Sequence, residues 1–455
     1  MGAAGALPPT VTGVSGTYWV ETLGCPKNQV DSDKLVGTLA ADGLEAAASP
    51  EQADLVVVNT CAFVDAARQE SIDTVLALAD ARRPGGRLVV TGCLAERYGE
   101  ELSAALPEVD EVLGFGVPVT LGRRPGSPAD RDGRDAARLD LLNLPRPPAA
   151  APWAYVKVAE GCDRACGFCA IPSFRGRQRS RPPASILAEV EALAAAGEGV
   201  AEVVLVAQDL ASYGRDLGRP KALLDLVPAV AQRVARTRLL YLYPSELDDA
   251  LVDVVCATGV PYFDLSLQHV SRPLLRRMRR WGDGDRFLAR IRGIRAREPD
   301  AAFRSSFIVG YPGESEEDHD LLLRFLEEAE LDWGGFFPFS EEEGTYAAGL
   351  DGAVDPHVVA ERLHELSELQ DTITASRRAA LVGRTVEVLV DAPGVGRSHR
   401  EAPEIDGTIE LRSAPTLRVG SFTQVRVTAS AGPDLEAVPL AAEGAAGLAS
   451  GKRAR

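Results

Sequence analysis

Residues 161–170 read GCDRACGFCA, three cysteines with gaps of three and two residues, directly after an apolar strand candidate. Thiolates this close in sequence can converge on one soft metal centre, because the intervening loop is long enough to wrap it and too short to stray. Neither a fourth cysteine nor a histidine lies nearby. A structural zinc site closes on four ligands and an electron-transfer cluster uses four thiolates. Three thiolates on a four-iron cluster leave one iron open to a substrate, and Cys162, Cys166 and Cys169 are read that way.

Outward from this loop, six apolar strand candidates follow one another: Ala154–Val158, Glu202–Val206, Arg238–Tyr243, Tyr262–Leu267, Phe303–Val309 and Trp333–Phe339. Each is followed by a helical pattern, which predicts an open, partial (β/α)6 barrel with its active site at the C-terminal face of the strands. Cys162, Gln208, Gln268 and Gly310 fall just past strand ends. Ser266 and Arg304 point into the barrel if the strand parity holds. Gly310, Pro312 and Gly313, in VGYPGE at 309–314, form a turn whose glycines let backbone approach a ligand. Ser315 with Asp318 three residues on reads as a capping box at a helix start.

Upstream, strand candidates at 17–24, 55–59 and 87–91 alternate with helical patterns at 30–41 and 64–81. This predicts an N-terminal open parallel-sheet α/β domain. Cys25, Cys61 and Cys93 each fall within about two residues of the end of one of these strands, the edge where open parallel sheets bind ligands. Singly, each reads as a small buried core residue. Three at equivalent strand ends read as ligands of a second cluster with an open iron. Cys256, on an apolar helical pattern, reads as core.

Pro, Gly, Arg, Asp and Ala fill 116–151 and break both periodicities, so this stretch is a linker. After a helical pattern at 356–381, alternating residues at 385–390 and 422–428 predict a small antiparallel β-barrel. The expected division is a flexible 1–16, an N-terminal domain at 17–115, the linker, a central domain at 152–380, a C-terminal domain at 381–447 and a disordered tail at 448–455.

The 455 residues carry a formal charge of −17, with 45% hydrophobic and 25% charged residues, as in an ordinary globular chain. Nucleic acid is repelled at long range and a basic partner is favoured. No run is apolar enough to suggest a signal peptide or a membrane span, and an odd seven cysteines argue against a disulfide framework, so a cytosolic protein is expected.

Four stretches together resemble the methylthiotransferase family: TLGCPKNQVDS at 22–32, VNTCAFVD at 58–65, TGCLAERY at 91–98, and the 161–170 loop with Phe168 before its last cysteine. The loop itself is similar to the signature of the radical S-adenosylmethionine (radical SAM) superfamily. The resemblance implies a central radical SAM barrel, a C-terminal barrel of the TRAM type and two 4Fe–4S clusters. One cluster is held by Cys162, Cys166 and Cys169 and binds S-adenosylmethionine; the auxiliary one is held by Cys25, Cys61 and Cys93. With S-adenosylmethionine as the implied cofactor, Phe168 of the signature, Gln208 and Gln268 by their position at strand ends, Ser266 and Arg304 by parity, and Gly310, Pro312 and Gly313 of the turn are its candidate contacts; a reductase or a flavodoxin-like protein is the expected electron donor.

Two branches divide the family. MiaB-type enzymes modify an adenosine of transfer RNA, and RimO-type enzymes methylthiolate the β-carbon of an aspartate in the twelfth ribosomal protein of the small subunit. AIPSFRG at 170–176, YLYP at 241–244 and RSHREAPEIDG at 397–407 resemble the second. Charge points the same way: residues 381–447 carry six Arg, no Lys and nine acids, whereas a barrel gripping transfer RNA should be basic. Eleven Arg against four acids in Arg272–Arg304 read either as a solvated helix face or as a ribosomal RNA contact. A non-catalytic iron–sulfur module on the ribosome or RNA is the alternative outside enzymes.

Overall fold

A computed structural model describes residues 16–121, 139–197, 199–412 and 417–440. The expected flexible start, the tail and the middle of the linker lie outside the described residues. Two compact units are present: residues 1–147, 159–181 and 340–348 form the first, and 148–158, 182–339 and 349–455 the second.

In the first unit β1 (Thr17–Thr22), α1 (Pro26–Ala41), β2 (Glu45–Ala46), β3 (Leu55–Thr60), α2 (Asp65–Ala81), β4 (Arg87–Gly92), α3 (Cys93–Ala105) and β5 (Glu111–Val112) follow in order. The strands form one parallel sheet in the order β2-β1-β3-β4-β5. Strand β3 is buried along its whole length, as a central strand covered on both faces must be. Its Leu55, Val56, Val57 and Val58 each contribute roughly 1.5–3 kcal/mol by leaving water. Helix α2 sits on the sheet through Ser71, Val75 and Leu78, a stripe at helical spacing.

The chain next forms β6 (Trp153–Lys157), which belongs to the second unit, and then β7 (Ala159–Glu160), α4 (Ile171–Arg175) and β8 (Arg179–Ser180), which belong to the first. The antiparallel pair β7 and β8 closes the loop that carries Cys162, Cys166 and Cys169.

The second unit continues with α5 (Pro183–Ala195), β9 (Glu202–Val206), α6 (Leu223–Ala231), β10 (Arg236–Leu239), α7 (Asp249–Ala257), β11 (Tyr262–Gln268), α8 (Arg272–Arg277), α9 (Gly284–Arg297), β12 (Ala302–Val309), α10 (Glu316–Ala329) and β13 (Trp333–Pro338). Two parallel three-stranded sheets, β6-β9-β10 and β11-β12-β13, are joined by a parallel bridge between Leu242 and Leu265. This is the expected open six-stranded barrel. The Ser315–Asp318 capping box at the start of α10 is formed in both directions.

Helix α11 (Pro356–Ala379) leads to a closed barrel of β14 (Thr385–Ala392), β15 (Val395–Arg397), β16 (Ile409–Leu411), β17 (Phe422–Ala431) and β18 (Asp434–Pro439). Its pairs are antiparallel except β16 with β18, which run parallel. Val388, Val390, Ile409, Val425, Val427 and Ala437 fill its interior.

The stretch Arg397–Gly407 closes the N-terminal end of the six-stranded barrel. Arg236 and Arg238 of β10 donate to the carbonyls of Arg397 and His399 at 3.0 and 2.9 Å. Tyr155 of β6 donates to Pro403, Trp333 of β13 to Arg400, and Tyr262 of β11 to the Asp406 carboxylate. Glu202, fully buried on β9, accepts from Arg238 at 2.7 Å and Arg397 at 3.0 Å. Every barrel residue involved lies among the first three of its strand.

Candidate metal centres

In the sheet of the first unit, β1, β3 and β4 are neighbours and their ends are in register, with Thr22 beside Asn59 and Thr60 beside Gly92. Parallel strands lie about 4.8 Å apart. Cys61 and Cys93 therefore leave adjacent strands at the same level, and Cys25 leaves the third strand three residues past its end. Cys25 is the N-cap of α1, with Pro26 as the first helical residue, and Cys93 opens α3. Both helix N-termini favour negative charge.

Two glycines permit these turns. Gly24 and Gly92 have φ of +92° and +96°, and a Cβ on Gly24 would stand 2.9 Å from the Cys61 sulfur, while one on Gly92 would collide with Asn59.

The three thiols feel one another's charge. Burial pushes the Cys61 thiol up to about 12. Burial also raises Cys93, against the opposing pull of Arg175. At Cys25 burial is outweighed by Lys27, the Asn28 amide and Arg175, so its thiol lies below the ordinary value.

A polar scaffold surrounds the triad, and the spacing of the cysteines gives no hint of it. Asn28, fully buried, donates to the carbonyls of Leu23 and Thr60 at 2.9 and 3.0 Å. Asn59 donates to the Asn28 carbonyl and to Ser32, both at 2.9 Å. Ser71 bridges the amide and carbonyl of Cys61 at 3.1 Å. Arg175 donates to the Cys93 sulfur at 3.0 Å.

In the 161–170 loop, the Cys162 amide donates to Gly176 at 3.1 Å, the Arg164 amide to the Cys162 sulfur at 3.4 Å, and the Cys169 amide to Cys166 at 3.2 Å. The chain thus turns around its own thiols. Phe168 is half-buried. Within the same unit Glu342, 2% exposed, takes Arg68 and Arg97 at 2.5 Å each, and the Ala347 amide donates to Gly167 at 2.8 Å. Nothing in the sequence pattern singled out this strap at 340–348.

Among the described residues, which include all seven cysteines, no disulfide forms, and no group of three or more His, Cys, Asp or Glu side chains stands at metal-ligand spacing. The donor chemistry nevertheless fits an iron–sulfur cluster at each triad. At Cys25, Cys61 and Cys93 soft thiols line one sheet edge beside amide donors, two helix N-termini and a buried guanidinium, and at Cys162, Cys166 and Cys169 they share one tight turn with amide donors, groups that would stabilise the negative charge of a thiolate-bound cluster.

In the second unit, Gln208 lies two residues past β9, and Gln268, the last residue of β11, has φ +72° beside a register shift. A non-glycine residue in this region is backbone strain that the surrounding structure holds in place. Ser266 lies within that shift, where the alternation of faces is interrupted. Gly310 and Tyr311 donate their amides to the Glu314 carboxylate at 2.6 and 3.2 Å, and Arg362 holds that carboxylate at 3.1 Å. This brace of the turn containing Pro312 and Gly313 was not legible in the motif.

Arg304 pairs with Asp264 at 3.1 Å and Asp406 at 3.5 Å, near the start of β12 and away from the strand ends that carry Gln208, Gln268 and Gly310. His269 is fully buried; burial holds it down at about 4, and its Nδ1 accepts from the Ser271 amide at 3.0 Å. Of the eleven arginines in Arg272–Arg304, eight have acidic or carbonyl partners within the chain: Arg277, Arg280, Arg286, Arg290, Arg292, Arg295, Arg297 and Arg304. Cys256 is half-buried on α7.

Three families match in order along the chain: one described as Uncharacterized protein family UPF0004 over residues 17–114, the Radical SAM superfamily over 156–326, and the TRAM domain over 382–440. The fold is also similar to that of a radical S-adenosylmethionine methyltransferase, TsrM, from Kitasatospora setae, solved with cobalamin and a 4Fe–4S cluster. That match has a TM-score of 0.51 at 15% identity, covering 90% of this chain and 84% of the other. The class is thus that of radical SAM enzymes with a TRAM domain. Within it, the chain is 42% identical to the ribosomal protein uS12 methylthiotransferase RimO of Kineococcus radiotolerans, over 95% of this chain and 99% of that protein. It is 44% identical to that of Salinispora tropica, over 92% and 94%. The chain belongs to the RimO family of methylthiotransferases. Among the described residues no helix is long and apolar enough to cross a membrane.

Proposed function

We propose that this chain adds a methylthio group to the β-carbon of an aspartate in the small-subunit ribosomal protein uS12, in the cytoplasm. The observation that carries the reading is the 42–44% identity to RimO proteins over more than nine-tenths of the chain. Cys162, Cys166 and Cys169 would hold the cluster that takes S-adenosylmethionine, and Cys25, Cys61 and Cys93 the auxiliary one. When bound, these groups would supply one-electron chemistry and, at each cluster, an iron position open to a ligand.

The protein's own part is to orient and to exclude water. Phe168, Gln208, Ser266, Gln268 and the turn at Gly310, Pro312 and Gly313 would contact S-adenosylmethionine, with Glu314 fixing the turn's amides. Arg304, committed to Asp264 and Asp406, serves the barrel floor instead. A working division at 17–115, 152–380 and 381–447 assigns auxiliary site, radical chemistry and TRAM barrel to successive segments. The excess of acid over base in 381–447 suits a basic ribosomal protein, which it would draw in by charge. The basic segment Arg272–Arg304, whose Arg290, Arg292 and Arg297 keep 39–60% of their side chains exposed while paired, would be the place of any ribosomal RNA contact. A flavodoxin-like protein or a reductase would deliver the electron.

Mass spectrometry of uS12 and of bulk transfer RNA from a strain lacking this gene tests the proposal. The methylthio group should vanish from uS12 and persist in transfer RNA. Loss from transfer RNA with intact uS12 modification would transfer the chain to the other branch. Failure of the reconstituted protein to form 5′-deoxyadenosine under reducing conditions would leave a non-catalytic module.

A further inference from the structure

The Arg175 side chain is 4% exposed and is held from every side. Its Nη1 donates to Asp31 at 2.8 Å and to both oxygens of Glu160 at 3.2 Å. Its Nη2 donates to the Asn28 side-chain oxygen at 2.6 Å and to the Cys93 sulfur at 3.0 Å. The Phe115 ring covers the guanidinium plane at 4.1 Å. One nitrogen is thus fixed by carboxylates and the other is aimed at a cluster ligand. A planar guanidinium keeps this division of donors, which a lysine cannot reproduce.

The anchor is also placed where it links two sites. Arg175 ends α4, six residues after Cys169, so a single short segment carries one triad and the donor to the other.

Hydrogen bonds to cluster sulfurs are among the determinants of iron–sulfur reduction potential. An N–H donor bearing full positive charge stabilises the electron that reduction adds, and the effect is large where water is excluded. Resting on the cluster assignment above, we propose that Arg175 is a positioning residue of the auxiliary cluster: its guanidinium donates to the Cys93 sulfur and favours the reduced state. Asp31 and Glu160 orient it and offset its charge.

The test uses the full-length chain carrying Cys162→Ala, Cys166→Ala and Cys169→Ala, which leaves the auxiliary cluster as the spectroscopic signal. Arg175→Gln alone would take the guanidinium away from the buried Asp31 carboxylate, so it is compared in an Asp31→Asn background, with Arg175→Lys as a second variant. After anaerobic reconstitution, iron content, circular dichroism and an EPR-monitored dithionite titration are recorded. Arg175→Gln should lower the equilibrium constant for reduction at least tenfold, about 59 mV for a one-electron couple, with iron unchanged. Arg175→Lys should give a smaller shift in the same direction and an altered EPR line shape. An unmoved potential at full iron content overturns the inference and leaves the cluster assignment standing. Loss of iron with unchanged circular dichroism overturns it as well, making Arg175 a requirement of assembly. Absence of iron in the chain that retains Arg175 refutes the cluster assignment itself, and the inference with it.

Discussion

Replacing Glu202 by Gln should destabilise the second unit without touching either cysteine triad. Glu202 has no exposed surface, and its carboxylate joins Arg238 at 2.7 Å to Arg397 at 3.0 Å. Burial alone would raise it, but Arg238, Arg397 and Arg236 hold it down at about 2 from an ordinary 4.5. That lowering makes the charged carboxylate worth on the order of 3 kcal/mol to the fold at pH 7. Because its pKa in the folded chain is depressed, the contribution is complete above about pH 4.5 and is lost as pH falls toward about 2. Gln mimics the protonated acid and leaves two buried guanidiniums short of an anion, a change that typically costs about 3–5 kcal/mol. Differential scanning calorimetry at pH 7 should show the transition of this unit lower by roughly 6–12 °C. By pH 3 the advantage of Glu over Gln should shrink to less than half of its value at pH 7. A variant that melts with the parent at pH 7, or a gap that ignores pH, would refute the ion-pair account of the barrel floor.

Substituting any one of Cys25, Cys61 or Cys93 by Ala should remove about half the iron of the reconstituted protein, as should any one of Cys162, Cys166 or Cys169, read by colorimetric iron assay. Asn28→Ala breaks two buried bonds to backbone carbonyls and frees the Arg175 donor; it should cost about 2–4 kcal/mol in urea unfolding of the first unit. Glu314→Ala unfastens the amides of Gly310 and Tyr311, so S-adenosylmethionine should bind about tenfold more weakly by equilibrium dialysis while iron content stays constant.

The six barrel strands, β1, β3 and β4 of the first unit, and the cysteine positions were legible because their signals are local. Glu202–Val206 was bounded from its sequence to the residue, and the other five barrel strands to within about four. The two-residue edge strands β2 and β5 carry no periodicity to find. The parallel pairing of β16 with β18 could not be read, since alternation fixes which face is buried and not which neighbour is paired. Arg304 pairs with Asp406, about a hundred residues away and beyond any pattern. The partners of the basic run at 272–304, Asp249, Asp253, Glu328 and Asp332, sit on other elements and no local pattern reveals them. Arg175 was visible as part of a motif, yet its role depends on Asp31 and Cys93 from a different segment of the chain.

The stretch Arg397–Gly407 was read as a mark of substrate preference, and its location gives it an engineering consequence. The residues that distinguish the C-terminal barrel are the floorboards of the catalytic one, so the two cannot be exchanged between relatives as interchangeable cassettes. A chimera joined at residue 381 would inherit a foreign floor against Glu202, Arg236, Arg238 and Tyr262. It should succeed only when those four positions travel with the graft.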